Sequence, residues 1–230
     1  VIFHEFGSAQ QAGAALAAEV AASLKAGIEV RGVASLAVPG GRTPLPLFHA
    51  LRTAVLPWER VHVTLTDERW VPESDAASNA ALVRRELLQQ RAALADFIPL
   101  HSSTAGIDEA GEAAWRAIAS AAWPFDAVVL GMGEDGHFAS LFPASPGLAA
   151  SLDAGAAPAI LPMRAPAPPE QRISLNLAAL CGTARLFLFV TGEAKRRLVG
   201  EASRGASALR WPVAALLSLP RPEVEVYWAP

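Results

Sequence analysis

The stretch FDAVVLGMGEDGHFASLFP, residues 125–143, decides how this chain is read. Ala127, Val128, Val129 and Leu130 form an unbroken apolar run, the pattern of a strand covered on both faces of a parallel sheet. A turn rich in glycine (Gly131, Gly133, Gly136) follows, carrying Asp135 and His137, and a short helix is expected after it. Open α/β sheets bind ligands just beyond the carboxyl ends of their strands, and His137 falls there. An imidazole titrates at about pH 6.5, so it can take and return a proton at neutral pH. Asp135 is suited to orient the ring or stabilise its protonated form. A histidine that merely caps a helix is the structural alternative; the glycines and the acidic neighbour at a strand end favour chemistry. No second histidine or cysteine lies nearby at ligand spacing, so neither a metal nor another cofactor is expected.

Outward from this stretch, apolar runs alternate with amphipathic ones, the pattern of an α/β fold: a largely parallel sheet with helices on both faces. Ser8 is a candidate cap for a helix over Ala9 to Lys25, with Leu16, Val20 and Leu24 on one face and Gly27 as its stop. Strands are expected at Val33–Val38, Val61–Thr66, Ala159–Met163, Arg172–Leu175, Arg185–Thr191 and Val224–Trp228. Helices are expected from Thr43-Pro44, from Ser78 or Asn79 to about Gln89, from Asp108 to Ala121 and from Glu193 to Ser203. Residues 67–79 and 164–170 read as loops. No repeat or flexible linker divides residues 1–230, so one domain is expected.

Composition narrows the function classes. The 230 residues are 52% hydrophobic and 18% charged, with a net charge of −3. No dense basic block suggests nucleic acid or a membrane surface as partner. The start, VIFHEFGSAQ, lacks the basic and apolar regions of a signal peptide, and no apolar run approaches the roughly 20 residues that span a bilayer. A soluble cytoplasmic protein, monomeric or a small homo-oligomer, is the expectation. The single cysteine, Cys181, leaves no internal disulfide and reads as a packed thiol at the end of a short apolar helix.

Three further segments carry candidate chemistry. VPGGRTPLPLF, residues 38–48, joins a strand to a helix through two glycines, and backbone N–H groups around Gly40, Gly41 and Arg42, with the Thr43 hydroxyl, can cradle an anion. An ordinary well-capped turn is an equal alternative on these residues alone. In LTDERWVPESDAASN, residues 65–79, Asp67, Glu68 and Arg69 follow a strand, and arginine's planar fork suits phosphate or carboxylate. Arg172 in PPEQRISLN and Lys195 in VTGEAKRRLV are late basic positions that say little alone.

Taken together, GGRTP, TDERWVP with SN after it, GMGEDGHFASLFP, RISLN and TGEAK resemble, in that order, the 6-phosphogluconolactonases of the cytosolic pentose-phosphate type. The family shares its parallel-sheet α/β fold with amino-sugar phosphate deaminases and ribose-phosphate isomerases. The resemblance implies a six-membered sugar lactone with a terminal phosphate as substrate. It implies His137 as general base, Asp135 as its orienting carboxylate, and Asp67 bonding substrate hydroxyls. Gly40, Gly41, Thr43, Arg69, Arg172 and Lys195 would hold the phosphate and hydroxyls. The family usually has serine where this chain has Pro39, which removes one hydroxyl from the loop. The nearest rival is a deaminase or isomerase on the same fold; those resemble the Gly-Asp-Gly-His core but continue with an Ala-Phe-Asn-Glu-Pro type sequence where this chain has Ala139-Ser140-Leu141-Phe142-Pro143, with no carboxylate to assist ring opening. A second rival, a non-catalytic sugar-phosphate-binding module, would have no need of the Asp135/His137 pair.

Overall fold

The computed structural model describes residues 1–102 and 106–230. In chain order the elements are β1 (Ile2–Glu5), α1 (Ala9–Arg31), β2 (Ala34–Val38), α2 (Leu45–Leu51), β3 (Val61–Leu65), β4 (Asp67–Arg69) and α3 (Asn79–Glu86). There follow β5 (Asp96–Ile98), α4 (Ile107–Ala121), β6 (Phe125–Leu130), α5 (Leu148–Ser151), β7 (Ile160–Arg164), β8 (Gln171–Leu175) and α6 (Leu177–Cys181). The chain closes with β9 (Thr183–Thr191), α7 (Glu193–Ala202), α8 (Val213–Leu217) and β10 (Val224–Ala229).

Seven strands make one parallel sheet in the order β1-β10-β9-β6-β2-β3-β5, flanked by helices. From β2 the chain proceeds outward through β3 to β5; from β6 it proceeds the other way through β9 to β10. The order therefore reverses between β2 and β6, and a crevice opens beyond their carboxyl ends. Both strands are buried along their whole length, which is why they read as continuous apolar runs. A separate antiparallel ribbon, β4-β8-β7, lies beside this sheet.

Helix α1 begins as expected, with the Ser8 hydroxyl accepting from the Gln11 N–H at 3.2 Å. It does not stop at Gly27. It runs a further turn to Arg31, and Gly32, in the left-handed region at φ +81°, ends it. Gly27 is instead a point of close approach: a Cβ there would lie 2.3 Å from Oδ1 of the buried Asp126 on β6. That carboxylate cannot move aside, because it accepts from the Ser35 N–H at 2.8 Å and pairs with Arg31.

Other differences are local. Residues 67–79 are not all loop, since β4 pairs with β8. Helix α3 ends at Glu86. No helix follows His137 directly; the backbone folds into a tight turn, with Leu141 N–H donating to the Phe138 carbonyl at 3.0 Å and Ala139 at φ +47°. Strands β1 and β5 gave little signal because both are short sheet edges, largely without buried residues. Burial pushes the Cys181 thiol up to about 12, as fits a packed and unreactive side chain.

Gly27→Ala should cost about 1–3 kcal/mol by overpacking against Asp126. Urea unfolding measures it, and an unchanged midpoint would contradict the close approach.

Candidate active site

The crevice at the sheet's reversal is a cleft of about 300 Å³, lined from three directions. The loop after β2 brings Pro39, Gly40, Gly41, Arg42 and Thr43. The loop after β6 brings Gly131, Met132, Gly133, His137, Ala139 and Phe142. The β4–β8 ribbon brings Asp67, Arg69 and Arg172, with Asn79 from the start of α3.

The ribbon's register explains its contribution. Asp67 lies opposite Ser174, and Arg69 opposite Arg172, so these four side chains share one face. Glu68 and Ile173 point to the other. Glu68 is 1% exposed, and its carboxylate accepts from the N–H groups of Arg69, Asn79 and Ala80, each at 2.7 Å, and from the Ser78 hydroxyl at 3.1 Å. It thereby satisfies orphan donors at the start of α3, where the helix dipole also favours a negative group. Burial pushes the Glu68 carboxyl up, and these donors only partly offset that.

Two cations that stand opposite each other in a ladder repel, and here no carboxylate pairs with either one among the described residues. Arg69 donates to the Ala77 carbonyl at 2.5 Å. Arg172 is 8% exposed, and its Nε is buried without a partner among the described residues. Burial, then the charge of Arg69, pull Arg172 below the ordinary arginine range, with Asp67 and Glu68 acting the other way. Two guanidinium groups held side by side without counter-ions make a site complementary to an oxyanion.

The loop after β2 adds backbone donors. Gly40 must lack a side chain, because a Cβ would fall 1.8 Å from Oδ1 of Asn79, whose amide is anchored to the Asp67 carbonyl at 2.9 Å. Gly41 sits at φ +87°, in the left-handed region. The N–H groups of Gly41, Arg42 and Thr43, and the Thr43 hydroxyl, meet no acceptor among the described residues. Pro39 brings neither an N–H nor a hydroxyl to this wall.

On the opposite wall, His137 Nδ1 lies 2.5 Å from Oδ1 of Asp135. Burial alone would push the Asp135 carboxyl up, but the hydrogen bond and charge of His137 outweigh it and hold it below the usual carboxylate range. An ionised carboxylate only accepts, so the nitrogen facing it, Nδ1, is the one that carries a proton, and Nε2 is the nitrogen left for exchange. Gly133 makes this geometry possible, since a Cβ there would fall 2.2 Å from the imidazole Cε1. The ring rests on Phe142 at 4.2 Å between centroids, and the Arg172 guanidinium lies 5.9 Å from the centre of the same Phe142 ring.

The fold thus gathers His137, Gly40, Gly41, Thr43, Asp67, Arg69 and Arg172 around one cleft, with Asp135 behind His137. Lys195 stands apart: half-buried in the first turn of α7, at the same rim of the sheet, it does not line the cleft. Sequence reading missed the side chains of Arg42, Asn79 and Phe142. The SN pair after the TDERWVP segment was the available signal for Asn79, and Phe142 lay within the decisive stretch. Among the described residues no three His, Cys, Asp or Glu side chains gather as a metal centre would need.

Fold and cleft together define an α/β protein with an arginine-lined crevice at the sheet's reversal and an imidazole–carboxylate pair in its wall. The chain belongs to the family of glucosamine-6-phosphate isomerases and 6-phosphogluconolactonases, whose model matches residues 7–228. It is 43% identical to a 6-phosphogluconolactonase of Pseudomonas aeruginosa over 225 residues, covering 98% of this chain and 93% of that one. It is 44% identical to a 6-phosphogluconolactonase of Mesorhizobium japonicum over 229 residues, 99% of this chain and 95% of that one. A crystal structure of a 6-phosphogluconolactonase from Shewanella baltica superposes with a TM-score of 0.94 at 34% identity, covering 100% of this chain and 98% of the other.

Glu68→Ala should destabilise the protein by about 3 kcal/mol or more, because several buried donors lose their acceptor together. Thermal unfolding checks it, and a shift under about 2 °C would contradict this role of Glu68.

Proposed function

We propose that this chain hydrolyses 6-phospho-D-glucono-1,5-lactone to 6-phosphogluconate, with His137 as the general base. The carrying observation is the pairing, across one cleft, of Arg69 and Arg172, neither in a salt bridge among the described residues, with an imidazole that Asp135 holds through Nδ1. The guanidinium pair and the N–H groups of Gly41, Arg42 and Thr43 would hold the phosphate dianion. Asp67 would accept from sugar hydroxyls. His137 Nε2 takes a proton from water as its oxygen adds to the lactone carbonyl carbon. The tetrahedral adduct then collapses, the ring carbon–oxygen bond breaks, and Nε2 returns the proton to the departing ring oxygen. Asp135 keeps Nδ1 protonated and steadies the imidazolium between the two transfers.

The family also includes amino-sugar phosphate isomerases, so the site has to discriminate. Among the described residues Asp67 is the one carboxylate lining the cleft; Asp135 is engaged by His137 and lines no part of it. Ser140 is turned away into a hydrogen bond with Asp67. This supports hydrolysis over a sugar ring opening that needs a second carboxylate. Close identity to 6-phosphogluconolactonases supports the same reading.

The deciding assay follows acid release from freshly made 6-phosphogluconolactone, beside ammonia release from glucosamine 6-phosphate. Acid release at the spontaneous rate would defeat the proposal. His137→Ala should lower kcat by about 10²–10⁴-fold while 6-phosphogluconate still binds. Arg69→Ala should act mainly on KM, raising it by about 10-fold or more through lost ground-state binding; an unchanged KM would take Arg69 out of the phosphate site.

A further inference from the structure

Ser140 is fully buried, three residues beyond His137, and its hydroxyl donates to Oδ2 of Asp67 at 2.6 Å. The serine's own N–H donates to the Ser174 hydroxyl at 3.2 Å, and that hydroxyl donates onward to the Leu175 carbonyl at 3.0 Å. Asp67 and Ser174 are register partners in the β4–β8 ribbon. One residue of the turn after His137 therefore grips both strands of the ribbon that carries the arginines.

The turn is built to present this residue. Ala139, at φ +47° in a region that disfavours a side chain, lines the cleft, and the Leu141 N–H closes on the Phe138 carbonyl. Asp67 is 7% exposed; among the described residues its carboxylate accepts, apart from the Ser140 bond, only a longer one, 3.2 Å, from the Thr66 hydroxyl on the other oxygen. Among the described residues, the other ionisable side chains lining the same cleft are Arg42, Arg69, Arg172 and His137. Without the Ser140 bond, Asp67 would be free to swing toward Arg172.

We propose that Ser140 is a positioning residue, which holds the Asp67 carboxylate clear of the arginines and aimed at the substrate's hydroxyls. It thereby sets the distance between Asp67 and His137. The inference rests on the lactonase reading above. It differs from a purely structural role, in which Ser140 would only satisfy a buried carboxylate.

The test is a double-mutant cycle on the full chain. Ser140→Ala should lower kcat/KM for 6-phosphogluconolactone by about 10-fold, while competitive inhibition by inorganic phosphate stays within about 2-fold, since the arginines are untouched. In an Asp67→Ala background, adding Ser140→Ala should change kcat/KM by less than about 2-fold. Binding of 6-phosphogluconate, read by calorimetry, should follow the same pattern where turnover is too slow to measure. A wild-type rate in Ser140→Ala, an equal loss in both backgrounds, or a parallel loss of phosphate inhibition would each overturn the positioning role. A wild-type protein without lactonase activity would overturn the function itself, which is a different result from an active enzyme indifferent to Ser140.

Discussion

The buried Glu68 carboxylate is the constraint on which the rest of the site hangs. It sits between β4 and the first turn of α3 and takes four hydrogen bonds, three of them from backbone. With α3 fixed there, Asn79 is anchored to the Asp67 carbonyl and packs beneath Gly40. One carboxylate thus sets the spacing between the loop after β2 and the arginine ribbon. A charge in this place is tolerable because it meets only donors and the positive end of a helix.

The opposite face of the same ribbon shows what that rigidity supports. Arg69 and Arg172 would relax apart in an unconstrained hairpin, since like charges facing across a ladder are destabilising. Here Arg69 is tied to the Ala77 carbonyl and Arg172 is buried against Phe142. Their repulsion is what an anion between them would relieve under the function proposed above. Preorganised charge of this kind needs no rearrangement when the ligand arrives.

The wall that carries His137 is held differently, by backbone geometry rather than by charge. Gly133 lets the imidazole lie against the main chain, and Gly136, at φ +77°, packs under Trp211 while its carbonyl accepts from the Val213 N–H at 2.9 Å. The segment before α8 therefore braces the turn from outside, while Ser140 and Phe142 brace it from the ribbon side. The His137 ring is thereby fixed between Asp135 and Phe142.

Much of this was legible locally. A continuous apolar strand followed by glycines and a histidine placed His137 at a sheet's carboxyl rim, because period and turn chemistry depend on neighbours in sequence. The GGRT loop and the Asp67–Arg69 triplet could be seen as anion-binding candidates for the same reason. What local pattern could not supply was partnership. That Glu68 turns inward while Asp67 and Arg69 turn to the cleft depends on an antiparallel register with residues about a hundred positions away. That Gly27 is a contact and not a stop depends on Asp126, and that Lys195 stays outside the cleft depends on where α7 begins in space. Residue type and spacing carried the chemistry; only long-range packing decided which side chains share a cavity, since burial and register are properties of the folded chain.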